Sequence, residues 1–369
     1  MKKLFGILLA VAMMFSVVCA LTACTGTTYE IAVVTDVGQL NDGGFNQGTY
    51  EGAKEYAEAN GISYKYYQPA NGGDATDADR IQAMNDAIAN GAKVIVTPGY
   101  MQENALREVA TQNPDVKFIF IDGFPLADAE GNILSNIAAI SYNEHEAGYF
   151  AGYAAVKEGY RKLGGTFGGA LGNPACNRFA TGYILGAEAA AAELNVEVEI
   201  AISFKYGSKF SSSSELQAQM DGWYKNGTEV VFSCGGAMVN SVIAAAQANN
   251  GKVIGVDTDQ AGLGSCVITS AVKGLASSVK VALEKLYQGK WSEIGGTGTS
   301  LGAKDDATGL PTAEGSWRMT NFTVEQYNAL FASMKAGEIQ IVLPEYDTDG
   351  NWVEGLNSRL TKVTVTHEK

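Results

Sequence analysis

The chain has 369 residues, 46% of them hydrophobic, with 44 Gly and only 7 Pro. That length exceeds one small core and points to two domains, and frequent Gly with scarce Pro suits an α/β fold with many tight turns. The formal charge of −14 becomes more negative if Lys2 and Lys3 are removed with the N-terminus, which argues against nucleic acid or an anionic lipid surface as the main partner.

The N-terminus opens with basic Met1-Lys2-Lys3, continues as an apolar run from Leu4 to Ala20, and closes on Leu21-Thr22-Ala23-Cys24. That ending resembles a bacterial lipoprotein signal, with residues 1–23 cleaved, lipid carried on the Cys24 thiol, and 24–28 a short tether. An ordinary signal peptide or a short membrane anchor is the alternative. The lipoprotein reading places the protein on the extracytoplasmic face of the cell membrane. No other stretch is long and apolar enough to cross a bilayer. Cys19 falls in the leader, which leaves Cys176, Cys234 and Cys266. Three thiols allow at most one disulfide, and which pair would form stays open. Their apolar or Gly-rich settings read as buried free thiols, and their spacings fit no metal site. No metal or cofactor is expected.

The mature chain opens on Ile31-Ala-Val-Val-Thr-Asp36, a buried strand, and then breaks into a loop holding Asn41, Asp42 and Asn46 before a helix from Phe45. A strand that ends in polar groups and leads into a helix is where ligands sit on an α/β sheet. This loop is rich in hydrogen-bonding groups and poor in positive charge, so it suits a neutral hydroxyl- or amide-rich ligand better than an anion. A plain βα turn with a helix cap is the competing explanation.

Further along, strands are predicted at 30–36, 62–68, 93–97, 117–122, 136–141, 162–167, 197–203, 229–233, 252–256 and 265–270. Helices are predicted at 45–60, 77–90, 101–112, 144–158, 177–194, 214–226, 237–249, 273–288 and 323–336. This alternation means parallel sheets wound on both faces. An internal echo makes them two. Asn90-Gly-Ala-Lys-Val-Ile-Val-Thr-Pro-Gly99, a helix and the strand ending at Asp122 match Asn226-Gly-Thr-Glu-Val-Val-Phe-Ser-Cys-Gly-Gly236, a helix and the strand ending at Asp257. Two similar doubly wound lobes would set both carboxylates at equivalent strand ends facing one cleft. The first lobe is expected to span 29–142 plus about 272–322, and the second 143–271 plus about 323–369. Residues 289–322 read as loop with short strands near Trp317 to Phe322. Tyr346 to Trp352 reads as a hairpin turn; its Asp-x-Asp-Gly lacks the Glu that a calcium loop needs.

These residues carry a resemblance that covers nearly the whole mature chain. Thr35-Asp36-Val-Gly-Gln-Leu-Asn41-Asp42-x-x-Phe45-Asn46-Gln47, Phe120-Ile121-Asp122, Asn143-Glu144-His145-Glu146-Ala147-Gly148, Val256-Asp257-Thr258-Asp259-Gln260 and Ile268-Thr269-Ser270-Ala-Val-Lys273 are similar to the basic membrane protein family of nucleoside-binding lipoproteins that serve ABC importers. The resemblance implies a type I periplasmic-binding fold, a purine nucleoside in the cleft between lobes, an ABC permease and ATPase as partners, and a monomer without enzymatic activity. It implies that Asn41 and Asp122 bond the purine edge, that Tyr50 and Phe210 sandwich the base, and that Gly236, Asp257 and Lys273 hold the ribose. Asp36 and Asp42 lie beside them, and Phe45 is counted among the ligand positions. Tyr50 stands where relatives carry Trp or Phe. The loop Lys205 to Ser214 is Ser-rich where relatives carry an acidic pair.

Elementary chemistry agrees with a nucleoside. A purine offers two flat faces to aromatic rings, and a carboxylate accepts from both ribose hydroxyls. The loops lack a Gly-rich Lys-Ser/Thr phosphate cradle, and acids would repel a nucleotide. Each position also has a duller explanation: helix caps for Asp122 and Asp257, core for Tyr50, surface for Phe210 and Lys273, a structural role for His145. Three other functions compete. A simple-sugar-binding protein shares the fold. A nucleoside hydrolase shares an Asp-rich opening, but Val34 stands where a further Asp is needed and the chain has two His. A sensor would bind ligand and signal to a membrane partner.

Overall fold

The computed structural model describes residues 28–369 except Gly38. The expected leader and the expected lipidation position Cys24 lie outside the described residues. The first lobe runs β1 (Ile31–Val34), α1 (Phe45–Asn60), β2 (Tyr64–Tyr67), α2 (Asp77–Ala89), β3 (Val94–Pro98), α3 (Glu103–Gln112), β4 (Lys117–Ile121) and β5 (Ile137–Tyr142). The chain then crosses into α4 (Glu144–Glu158), β6 (Lys162–Phe167), α5 (Pro174–Leu194), β7 (Val198–Ser203), α6 (Ser214–Lys225), β8 (Val230–Cys234), α7 (Met238–Asn249), β9 (Lys252–Asp257) and β10 (Val267–Lys273). It returns to the first lobe for α8 (Leu275–Tyr287) and β11 (Gly298–Leu301). A third crossing leads to β12 (Thr308–Gly309), α9 (Val324–Lys335), α10 (Asn351–Asn357) and β13 (Val363–Glu368).

The first sheet has the order β11-β5-β4-β3-β1-β2 and the second β12-β10-β9-β8-β6-β7-β13. All pairings are parallel except β10 with β12. The two cores repeat one winding, which is the expected pair of doubly wound lobes. Alternation explains the layers. Ala32, Val34, Ile95 and Phe118 face Met84 of α2 and Leu106 of α3, while Ile31, Val33, Val94 and Ile119 face Ala53 of α1 and Val279 of α8. The second sheet is covered likewise by α4 and α5 on one face and by α6 and α7 on the other.

Local signals fix where helices begin. Thr76 and Asp79 form a capping box at α2, Thr323 and Gln326 another at α9, and Asn173 caps α5 just before Pro174. Helices α4 and α5 touch backbone to backbone: a Cβ at Gly152 would stand 2.0 Å from the Tyr183 carbonyl oxygen, and one at Gly186 the same distance from that of Tyr149.

Three readings of the C-terminal third are corrected. Residues 302–322 join the second lobe, not the first. Lys273 and Val272 pair with Thr308 and Gly309, and Leu310, Met319 and Phe322 bury in the second core beside Tyr327. Tyr346 to Trp352 is no hairpin. Asp347 accepts from the backbone N–H groups of Asp349, Asn351 and Trp352 and so starts α10. The stretch Trp317 to Phe322 forms no strand, and β13 extends the sheet beside β7. Cys176, Cys234 and Cys266 are buried free thiols.

Candidate functional site

In both lobes the winding reverses beside the first strand, β1 next to β3 and β6 next to β8, and a crevice opens at the carboxyl ends there. The two crevices face one another across a cleft of ≈ 550 Å³ not filled by protein atoms, part of it open to solvent. From the first lobe it is lined by Asp36, Val37, Asp42, Phe45, Asn46, Gly99, Tyr100 and Asp122. The second lobe contributes Asn173, Ala175, Cys176, Phe179, Phe210, Cys234, Gly235, Gly236, Asp257 and Lys273.

Asp122 and Asp257 take equivalent places, each one step past or at the end of its strand, with left-handed backbone at φ 56° and 67°. Asp tolerates that conformation better than most side chains, and it aims both carboxylates into the cleft. Between them stands Lys273 at the end of β10. Its Nζ is 2.8 Å from Asp122, 3.3 Å from Asp257 and 3.9 Å from Glu144. Arg178 of α5 binds the other oxygen of Glu144 at 2.5 Å. The ion pair of Lys273 with Asp122 joins the lobes.

Acids outnumber bases in this cluster, and burial makes the surplus felt. Asp257 is pushed up to about 6 by burial, opposed by Lys273 and reinforced by the charges of Asp122 and Asp42. Asp122 is raised by burial, again opposed by Lys273. Burial works against the charge on Lys273, yet Asp122, Asp257 and Glu144 together hold it well above the usual lysine range. Lys273 therefore stays a cation, and its neighbours compete for it.

The aromatic walls are Phe45, Phe179 and Phe210. Lys273 Nζ lies 4.6 Å from the Phe45 ring centroid and 5.7 Å from that of Phe179. Phe210 is half-buried with φ 52°, and its ring covers Gly168 so closely that a Cβ there would fall 2.2 Å from it. Gly236, at φ 49°, lets the chain turn under the Phe210 carbonyl.

Two oxygens in this wall are buried without a hydrogen-bond partner, Asn46 Oδ1 and Asp122 Oδ1. Buried polar atoms are rarely left so, and atoms facing a cleft can be completed by a ligand's donors. Asp42 differs: its oxygens accept from the N–H groups of Gly44, Asn46 and Gln47, so it caps α1 and sets the cleft wall. Asp36 accepts from the Val37 N–H beside Gly99.

Asp36, Asp42, Phe45, Asp122, Phe210, Gly236, Asp257 and Lys273 thus line one cleft. Asn41 and Tyr50 do not. Asn41 is exposed on the loop outside the lining. Tyr50 packs near Tyr64 and Tyr66, with centroids 6.2 and 6.1 Å away. It sits five residues beyond Phe45, about 7.5 Å along the helix and turned off the cleft face. Sequence reasoning named Asn46 only as part of the polar loop and Glu144 only within a motif, and gave Arg178, Phe179, Tyr100 and Asn173 no place in the site. The echo at 90–122 and 226–257 does not reach Phe179; only the folded topology shows that α5 follows the first strand of its sheet as α1 does in the first.

The lobes also meet at the rim. The Gly43 carbonyl accepts from Thr258 Oγ1 at 3.0 Å and Gln260 Nε2 at 2.9 Å, and Lys209 pairs with Asp74 at 2.7 Å. Glu146 ties down the third crossing by accepting from the Ala303 N–H and Thr308 Oγ1. Among the described residues no cluster of three or more His, Cys, Asp or Glu is placed to hold a metal ion, and no helix is long and apolar enough to cross a membrane.

Residues 29–353 match the family model described as "ABC transporter substrate-binding protein PnrA-like". A curated relative, the "ABC transporter nucleoside-binding protein BmpA" of Lactococcus lactis, is 28% identical over 306 residues, covering 77% of this chain and 82% of its own. "Basic membrane protein B" of Borreliella burgdorferi is 29% identical over 236 residues, 63% of this chain and 67% of its own. Among solved structures, an ABC transporter solute-binding protein from Aeropyrum pernix superposes with a TM-score of 0.72 at 21% identity, covering 89% of this chain and 98% of that one. One from Conexibacter woesei gives 0.64 at 22% identity, covering 86% and 99%. At these identities the structures share the fold.

Proposed function

We infer the ligand from the premise that this chain belongs to the Bmp family of PnrA-like ABC transporter substrate-binding proteins, solute-binding proteins of the extracytoplasmic side. The ligand we propose is a purine nucleoside, bound for uptake by a membrane permease and its ATPase. The observation that carries this reading is the pairing of unlike walls in one cleft: Phe45 and Phe210 as flat apolar faces, and Asp122, Asp257 and Lys273 as a polar floor.

The base stacks against the rings, each stack contributing roughly 1–3 kcal/mol. Asp257 accepts from the ribose hydroxyls, and Lys273 donates to a ribose oxygen. Such charge-assisted bonds contribute about 1.5–3 kcal/mol each. Asn46 Oδ1 and Asp122 Oδ1 accept from donors on the base edge. Less the cost of ordering, these contacts reach micromolar affinity, about −8 kcal/mol. The surplus of acids turns away a phosphate. Ligand contacts made by both lobes favour the closed arrangement through differential affinity, and that arrangement docks on the permease. Anchoring through lipid on Cys24 and action as a monomer complete the proposal.

Isothermal calorimetry of adenosine, guanosine, inosine, free ribose and adenosine monophosphate tests it. We expect heat with nucleosides at micromolar dissociation constants and none with the monophosphate. Heat with ribose and none with nucleosides would transfer the protein to the sugar binders.

A further inference from the structure

Two thiols stand in the wall of this cleft that no step of nucleoside binding uses. Cys176 is the third residue of α5, and Cys234 ends β8. Their sulfurs lie 3.9 Å apart, in van der Waals contact. Both are free, line the cleft, and are nearly buried, at 5% and 2% exposure. Cys266 belongs to a different place, the layer under α6 and α7 on the far face of the sheet.

We propose that Cys176 and Cys234 are a modification site, converted by a hydroperoxide that enters the cleft into an intramolecular disulfide in the ligand pocket wall. A disulfide brings its sulfurs to about 2.0 Å, so the pair must close by roughly 2 Å, within reach of side-chain rotation at two neighbouring positions. Burial, with the nearby Cys176 thiol, pushes the Cys234 thiol well above its ordinary range, so Cys234 stays protonated and acts second. The Cys176 sulfur attacks one peroxide oxygen. An S–O bond forms, the O–O bond breaks, and the leaving hydroxide takes the thiol proton as water. Cys234 then attacks that sulfenic sulfur. The S–S bond forms, the S–O bond breaks, and hydroxide leaves with the second thiol proton as water. Two thiols are oxidised and the peroxide is reduced to two waters.

The setting suits this chemistry. Disulfides persist on the extracytoplasmic side, where this family acts. The bond would staple the start of α5 to the end of β8, closing a loop whose ends are 58 residues apart. It would fix Phe179 and the Gly235–Gly236 turn, which flank the two cysteines in the lining. A filled cleft covers both sulfurs, so an occupant slows the reaction.

The test treats the reduced full chain with hydrogen peroxide, with and without adenosine, and maps peptides without reductant. A Cys176–Cys234 cross-link in the wild type and in Cys266→Ser, absent in Cys176→Ser and Cys234→Ser, is expected. A higher melting temperature that dithiothreitol reverses should accompany it. Oxidation of Cys266 alone, or sulfinic acid at Cys176 without cross-link, would overturn the site. Formation of the cross-link supports the site, and slowing by bound adenosine supports entry through the cleft. Where calorimetry shows no adenosine binding, an indifferent rate counts against the nucleoside reading alone; where adenosine binds, it overturns entry of the peroxide through the cleft.

Discussion

Asp257 couples the cleft to protons. Its carboxyl titrates near 6, above its ordinary value of 3.8, because it is buried beside other acids. A raised acid pKa means the folded, unliganded protein binds this proton more tightly than the unfolded chain does. The contribution to stability is therefore present below the unfolded value and is lost as pH rises through about 6. Under the proposed function ligand binding runs the other way, since ribose hydroxyls would donate to the ionised form. Nucleoside affinity should fall as pH drops through about 6, and Asp257→Asn should lower affinity at least tenfold at neutral pH and flatten that profile. Calorimetry across pH 5 to 8 reads both effects. Wild-type affinity that holds constant over that range would remove Asp257 from ribose contact.

Glu144 acts through its neighbours. It is fully buried between Arg178 and Lys273. Glu144→Ala leaves both cations short of a partner, and breaking such a buried pair costs about 3–5 kcal/mol. Urea denaturation measures this; a loss under 1 kcal/mol would mean that the network is replaceable. How much of the site the sequence made legible also depends on single residues. Asp122 and Asp257 stood out because the internal echo aligned them. Tyr50 misled because its place came from the resemblance alone; the helix begins at Phe45 as predicted, and five residues on Tyr50 turns from the cleft face toward Tyr64 and Tyr66. Asn46 and Glu144 stood in recognised stretches, the polar loop and the Asn143–Gly148 motif, but their parts as an unpartnered acceptor and a buried bridge exist only after folding.

At the scale of elements, α4 and α5 show how small residues set geometry. Gly186 and Gly152 let the two helices approach until backbone meets backbone. Gly186→Ala places a methyl 2.0 Å from the Tyr149 carbonyl oxygen. The helices must then separate, at a cost of about 1–3 kcal/mol. Because α4 begins with Glu144 and α5 carries Arg178, the change should also loosen the Lys273 network. Thermal melting with and without adenosine checks both; an unchanged melting temperature would contradict the close packing. Long elements with clear apolar periods were readable in the chain. The edges were not. Strand β12 has two residues and β11 is exposed over most of its length, so neither carries an alternation to recognise. The reassignment of 302–322 follows from that. Its place depends on Phe322 meeting Tyr153 and Tyr327 meeting Phe150 of α4 across the fold, not on any local pattern.

At the scale of the molecule, two sheets of one winding are joined by three crossings and meet at a charged floor and a hydrogen-bonded rim. The proposed function depends on both lobes gripping one ligand. The most direct measurement is a crystal structure with adenosine bound. We expect the base between Phe45 and Phe210, the ribose hydroxyls on Asp257 and Lys273, and the base edge toward Asp122 and Asn46. Adenosine bound away from this cleft, or in it with the ribose far from Asp257 and Lys273, would contradict the proposed binding mode.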